Sequence, residues 1–134
     1  MKAVDTSVVV PAVLAWHENH RQCYEAASNA RIPSHALLES YSVLTRLPSQ
    51  HRITAEVAAQ LLGEWFLADD VLLAPARLQR GIARELAAAG IEGGAAYDAL
   101  IGLTARTHGA ILLTRDERAA RYYRALDISH EFVE

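Results

Sequence analysis

The chain has 134 residues, 51% of them hydrophobic and 22% charged, with a formal net charge of -3. That length predicts one domain, 1–134, and a chain of roughly 150 residues buries about 68–70% of its unfolded surface, so a core forms without covalent staples. The near balance of charge excludes a protein that coats nucleic acid by bulk positive potential, and still admits an enzyme that meets nucleic acid through a local basic rim.

In chain order, short apolar runs alternate with longer helical patterns. Lys2 to Asp5 is a first strand, and Ser7 is placed to cap a helix from Val8 to about His17. A helical stretch from about Arg21 to Ala30 leads into an extended piece, Arg31 to Ser34, whose Pro33 suits a strand end. His35 to Leu47 is helical, with Leu37, Tyr41 and Leu44 on one stripe and Pro48 closing it. Thr54 caps a helix to about Phe66, and Val71-Leu72-Leu73-Ala74 is an apolar strand of the kind covered on both faces. Helices follow at about Pro75 to Ala89 and Ala95 to His108, the second ended by Gly109. Ala110 to Thr114 is the clearest strand, followed by a helix from Glu117 to Leu126 and a weak strand near Ser129 to Val133. This alternation predicts an α/β fold, a parallel sheet with helices on both faces and right-handed crossovers. Ligands of such sheets collect beyond the carboxyl ends of the strands.

Four acids fall there. Asp5 ends the first strand, Glu39 lies in the first turns after the Ile32 strand, Asp98 opens the helix feeding the Ile111 strand, and Asp116 follows that strand. Each also has a plainer reading. Asp5 can cap the next helix; Glu39, nearly opposite the Leu37 stripe, can be a solvated helix glutamate. Thr114-Arg115-Asp116-Glu117 fits a capping box, with Thr114 as N-cap and Glu117 reaching back. Asp98 aligns with Gly102 and Ala105, away from the Leu100/Leu103/Thr104 stripe. Glycine inside a helix costs about 1 kcal/mol against alanine, which points to close approach of another backbone at Gly102. Taken together the acids are harder to place in a neutral role, since unit charges 4 Å apart repel by about 4 kcal/mol at an effective dielectric near 20. A divalent cation resolves that repulsion, and an all-oxygen ligand set selects Mg²⁺, or Mn²⁺, over zinc. Phosphodiester hydrolysis is the chemistry such a site implies.

Asp5-Thr6-Ser7 at the first strand end, Glu39 in Leu37-Leu38-Glu39, Asp98 in Tyr97-Asp98-Ala99-Leu100-Ile101 and the run Leu112 to Arg118 together resemble the PIN domain, in the family's order and over nearly the whole chain. The ordered set looks like a VapC-type toxin ribonuclease of a bacterial toxin–antitoxin pair. The resemblance implies a three-layer fold with sheet order 3-2-1-4-5, Mg²⁺-dependent RNA cleavage, a homodimer and inhibition by a VapB-type antitoxin. It further implies that Asp5, Asp98 and Asp116 hold metal directly or through water, and that Glu39 completes the site and helps position the attacking water. Thr114 would be a supporting hydroxyl, and cleavage would leave 5′-phosphate and 3′-hydroxyl ends. No acid of the set is missing; the glycine-rich Gly90-Ile91-Glu92-Gly93-Gly94 ahead of Asp98 is this chain's departure.

Arg77, Arg80 and Arg84 share one helical face, and Arg115, Arg118, Arg121 and Arg124 form a second series. Solvated faces are the default reading; the sharper one is that Arg115 and Arg118, beside the metal edge, neutralise RNA phosphates, and any of these arginines can instead meet the antitoxin. His17 and His20 do not read as a metal site, and His108 reads as a helix C-terminal residue rather than a base. Val9, Val10, Val13, Leu14 and Trp16 exceed what one helix face needs, which suggests a dimer seam or an antitoxin groove. The single cysteine, Cys23, excludes an internal disulfide and reads as a small buried hydrophobe in a cytoplasmic protein. No apolar run is long enough for a membrane span, and Asp5 interrupts what a signal peptide keeps apolar. A haloacid-dehalogenase-like phosphatase needs a second aspartate where Ser7 stands; a receiver domain needs a late lysine, and Lys2 is the only one; a dinucleotide-binding domain needs a glycine-rich turn after the first strand. Within the resembled family, a housekeeping nuclease and a catalytically silent binding module are the alternatives, and the short length favours a stand-alone toxin.

Overall fold

The computed structural model describes residues 1–134. Its elements run β1 (Lys2–Val4), α1 (Thr6–Val13), α2 (His20–Ala27), β2 (Ile32–Pro33), α3 (Ser34–Leu44), α4 (Ala55–Trp65), β3 (Val71–Leu72), α5 (Ala76–Ala88), α6 (Ala95–Thr107), β4 (Ile111–Thr114), α7 (Glu117–Ala125) and β5 (His130–Phe132). β4 lies between β1 and β5, all parallel, with Ala3 opposite Leu112 and Leu113 opposite Glu131. β2 pairs with β3, Ile32 opposite Val71. A single bridge, Ala3 to Arg31, joins the two parts and gives the order β3-β2-β1-β4-β5 that the sequence resemblance implies.

That joint is short for a covalent reason. Arg31 N donates to Lys2 O at 2.8 Å and Val4 N donates to Arg31 O at 2.9 Å. The next donor of a parallel ladder would be the nitrogen of residue 33, a proline without an N–H, so the ladder stops there. In the central strands consecutive residues are buried alike: Ala3, Val4 and Leu112 at 0% exposure and Leu113 at 5%. Since neighbouring side chains point to opposite faces, helices cover both sides of the sheet. β3 is shorter than the expected Val71–Ala74 strand and is not covered on both faces: it lies at the sheet edge, where Leu73 is exposed.

Helix ends differ from expectation in instructive places. α1 is capped by Asp5, not Ser7, and ends at Val13 soon after its internal Pro11, so His17 lies in the following turn. α3 ends at Leu44, before Pro48 is reached. Thr54 caps α4 as predicted, accepting from Val57 N at 3.1 Å. Gly109 follows α6 with φ +68, the left-handed turn that glycine makes at least cost. The apolar residues of α1 do not form an outer seam. Val9 and Leu14 belong to the hydrophobic core, Val10 and Val13 pack against it, and only Trp16 remains exposed.

Gly102 faces side chains, where the sequence suggested a backbone. A Cβ there would come within 2.6 Å of Ile128 Cδ1 and 2.9 Å of Tyr123 Cδ1. Gly102→Ala should therefore lower stability by about 1–3 kcal/mol through overpacking, against the roughly 1 kcal/mol that helix propensity alone would add. Thermal melts of the two proteins decide which effect prevails.

Candidate active site

The strand ends deliver the four acids to one edge. Asp5 follows β1, Glu39 stands in the second turn of α3 directly after β2, Asp98 lies in the first turn of α6, and Asp116 caps the helix after β4. Their proximity registers on Asp98. Partial burial raises its carboxyl to about 6, the charges of Glu39, Asp116 and Asp5 add to the rise, and Arg118 opposes it. All four acids thus share one electrostatic neighbourhood.

Asp5 is the most deeply set, with 3% of its surface exposed. Oδ1 accepts from Ser7 N at 3.0 Å and from Ser7 Oγ at 2.5 Å, and Oδ2 accepts from Tyr123 Oη at 2.9 Å. Burial pushes this carboxyl upward, and the Ser7 and Tyr123 donors oppose the shift by stabilising the anion. Burial and the Asp5 charge raise the Tyr123 hydroxyl far above the ordinary tyrosine range, so it serves as a neutral donor. Three of the roughly four acceptor positions of an ionised carboxylate are then filled, which leaves one for a cation or its water. The capping role of Asp5 and its place in the acid cluster coexist on one side chain.

Ser7 carries the connection to the other strand. Its only proton goes to Asp5, so Thr114 Oγ1, 3.3 Å away, donates to Ser7 Oγ; Arg115 N donates to the same oxygen at 2.7 Å. Thr114 Oγ1 in turn accepts from Asp116 N at 3.1 Å. This chain of hydroxyls fixes the ends of β1 and β4 relative to each other. The capping box expected of Thr114 and Glu117 does not form. Asp116 is the N-cap, its Oδ1 accepting from Arg118 N at 2.9 Å and Ala119 N at 3.1 Å, because the chain leaves β4 through two further extended residues before turning helical. Glu39, half-buried, accepts from Thr6 Oγ1 at 2.5 Å and so is not a free surface glutamate.

The arginines divide. Arg118 is exposed and its charge acts on Asp98. Arg115 spends its guanidinium on Val133 O. His17 Nδ1 accepts from Asn19 N, His20 Nδ1 lies against Pro11 O, and His108, after α6, reaches Leu73 O; none joins the acids. Cys23 is fully buried. A surface cavity of about 580 Å³ beside Arg77, Gly81 and Glu85 has none of the four acids in its wall. Thr6, Ser7 as a site residue and Tyr123 were missed by sequence reasoning. The two hydroxyl residues directly after Asp5 were a signal for the first two; for Tyr123, 118 residues from Asp5, only the buried packing of α7 reveals it.

Whether the donors suit a metal ion can be asked of the donors themselves. They are all oxygen, anionic and partly withdrawn from water, the preference of Mg²⁺ or Mn²⁺. As the side chains lie, no three of these acids stand where they could hold one ion together, so the expected trio Asp5, Asp98 and Asp116 shares an edge without forming a ready ligand set; an ion there would take one or two carboxylates directly and keep its waters. The residues present fit such an ion.

Residues 2–125 match the family model described as PIN domain. The chain is 43% identical over 134 residues to Ribonuclease VapC40 of Mycobacterium tuberculosis, covering 99% of each. It is 44% identical over 128 residues to Ribonuclease VapC27 of the same organism, covering 94% of this chain and 92% of the other. Among solved structures, VapBC2 from Rickettsia felis, crystallised with a DNA fragment from its promoter, superposes with a TM-score of 0.68 at 17% identity over 99% of this chain and 98% of that one, a likeness of fold.

The raised Asp98 carboxyl sets a stability profile. Folding takes up a proton here, so in the metal-free chain its contribution is complete below the unfolded value near 4 and is lost as pH climbs through about 6. Asp98→Asn should flatten that decline and, above pH 7 in EDTA, leave the protein more stable by on the order of 1 kcal/mol after screening. Denaturant melts across pH 4–8 check it; a variant less stable than the parent at pH 7 in EDTA would contradict the crowding of charge.

Proposed function

The chain belongs to the PIN domain family, and from that premise we propose that it is a divalent-metal-dependent endoribonuclease acting as the toxin of a toxin–antitoxin pair, with 1–134 forming one catalytic domain in the cytoplasm. The single observation that carries the reading is the delivery of Asp5, Glu39, Asp98 and Asp116 to one sheet edge, where the burial of Asp98 and the charges around it are a cost that a cation relieves. Extended similarity to proteins named ribonucleases supports RNA as the substrate. Asp98 and Asp116 would hold the ion, with the remaining acceptor position of Asp5 contributing directly or through water. Mg²⁺ is the proposed ion and Mn²⁺ its substitute. When bound, such an ion lowers the pKa of water and polarises a phosphoryl oxygen.

The protein's own residues do the positioning. Glu39, braced by Thr6, would accept a hydrogen bond from the attacking water and orient it in line with the scissile bond, so that cleavage leaves 5′-phosphate and 3′-hydroxyl ends. The Tyr123–Asp5–Ser7–Thr114 network keeps the acids from rearranging as charge develops. Arg118 neutralises an RNA phosphate beside the acids, and Arg115 contributes to the same basic rim to the extent that it releases Val133 O. A VapB-type antitoxin and a second copy of the chain are the proposed protein partners; the structural neighbour named VapBC2 supports the first. An apolar groove of about 380 Å³ between α3 and α4, lined by Leu37, Leu38, Tyr41, Leu62 and Phe66, suits apolar side chains of that antitoxin. No helix is long and apolar enough to cross a membrane.

Cleavage of single-stranded RNA by the purified chain should require Mg²⁺ or Mn²⁺, stop in EDTA, and fall by about 10³-fold or more in Asp98→Asn, on the scale of losing a main electrostatic contribution. Retained cleavage in EDTA would refute the metal-dependent reading. In filter binding without divalent ions, Arg118→Ala should reduce the slope of log K against log salt by about 0.7, one single-strand phosphate contact, and Arg115→Ala by less.

A further inference from the structure

Two rings stand at the lip of the acid cluster. Tyr97 immediately precedes Asp98 in the first turn of α6, lies outside the hydrophobic core and is 57% exposed. His35 stands one helical turn before Glu39 on α3. The rings are stacked, with centroids 5.4 Å apart and planes 9° from parallel. On α3 the two contacts lie one turn apart, Glu39 toward Asp98 and His35 against Tyr97, while on α6 their partners are neighbours in sequence.

The two contacts suit different chemistry. Four residues of helix rise about 6 Å, a distance that a single nucleotide spans, so a strand with one phosphate at the acids carries a neighbouring base past the rings. The acid pair is anionic and admits phosphate only with a cation between; the ring pair presents an uncharged planar ring already fixed by its partner. A planar base adds to such a preorganised ring with little ordering cost, and unpaired bases are commonly held on exposed aromatic side chains. We infer that Tyr97, backed by His35, is a stacking platform for one unpaired nucleobase next to the scissile phosphate, an inference that rests on the ribonuclease reading above. Tyr97 would be a specificity-determining residue, favouring cuts where the adjacent base is free to leave its own stack.

The test uses the full chain, Mg²⁺ or Mn²⁺, and a pool of random-sequence single-stranded oligoribonucleotides, with cut positions read from the product ends. One oligonucleotide carrying the preferred cut is then remade with a single abasic residue at each of three positions either side. One abasic position should lower kcat/KM about tenfold, Tyr97→Leu should lower it about as much on the intact strand, and the two combined should lower it no further. The loss should fall on KM, because a stack present in ground and transition states alike leaves kcat nearly unchanged. Tyr97→Trp, which keeps a planar face, should restore it. Additive losses, or a Tyr97→Leu loss that no abasic position shares, would overturn the platform and assign the ring pair to folding or to a protein partner. Cleavage indifferent to both changes would overturn the platform alone; a native chain that cuts none of the pool with either ion would overturn the ribonuclease reading itself, and this inference with it.

Discussion

Asp5 is buried at the end of β1 with a hydroxyl on each side of its carboxylate, and three more acids must be tolerated around it. Repulsion of about 4 kcal/mol for a close pair is comparable to a large part of a domain's net stability, so the arrangement persists only because other groups hold it. The holding groups are specific. Ser7 and Tyr123 lower the cost of charge on Asp5, Thr6 fixes Glu39, and two backbone N–H groups of α7 fix Asp116. Asp98 has no comparable donor, and burial first and the neighbouring charges second raise its pKa. The acids are thus held in place by the fold itself, whatever neutralises them.

The supporting contacts reach well beyond the acids. Tyr123 reaches Asp5 only because α6 carries Gly102 where its ring and Ile128 pass. A residue whose absence of side chain looks like a helix defect is thereby a condition for the geometry of the first strand end. Thr114 has a related role: fully buried, it passes a hydrogen bond from the start of α7 to the end of β1, tying two strands through side chains where the backbone ladder has ended.

Much of this was legible in the sequence. The alternation of apolar runs and helical stretches gave the parallel sheet, and the resemblance gave its order. The acids were legible because a parallel sheet gathers whatever follows its strands, so Asp5 and Asp116 were suspect from position alone. Boundaries were less so. Asp5 displaced Ser7 as cap since the helix begins as soon as β1 ends, and β3 shortened because an edge strand has one neighbour to pair with. Partners distant in sequence were not legible at all. Nothing within a few residues of Tyr123 announces Asp5, and the turn of Arg115 toward Val133 depends on where the chain's end comes to lie. The apolar surplus of α1 misled for a similar reason: the helix packs on both α2 and α3, so more than one of its faces is internal.

The proline that stops the ladder between β1 and β2 has a mechanical consequence. One half of the sheet, β2 and β3 with α3 following, carries Glu39 and His35; the other half carries Asp5 and Asp116, and a single backbone bridge links them. Side-chain packing and the Thr6–Glu39 bond must therefore set how far Glu39 stands from its fellow acids. Such a seam leaves the spacing of Glu39 from Asp5 and Asp116 to side-chain contacts, where a continuous five-stranded ladder would have fixed it through the backbone.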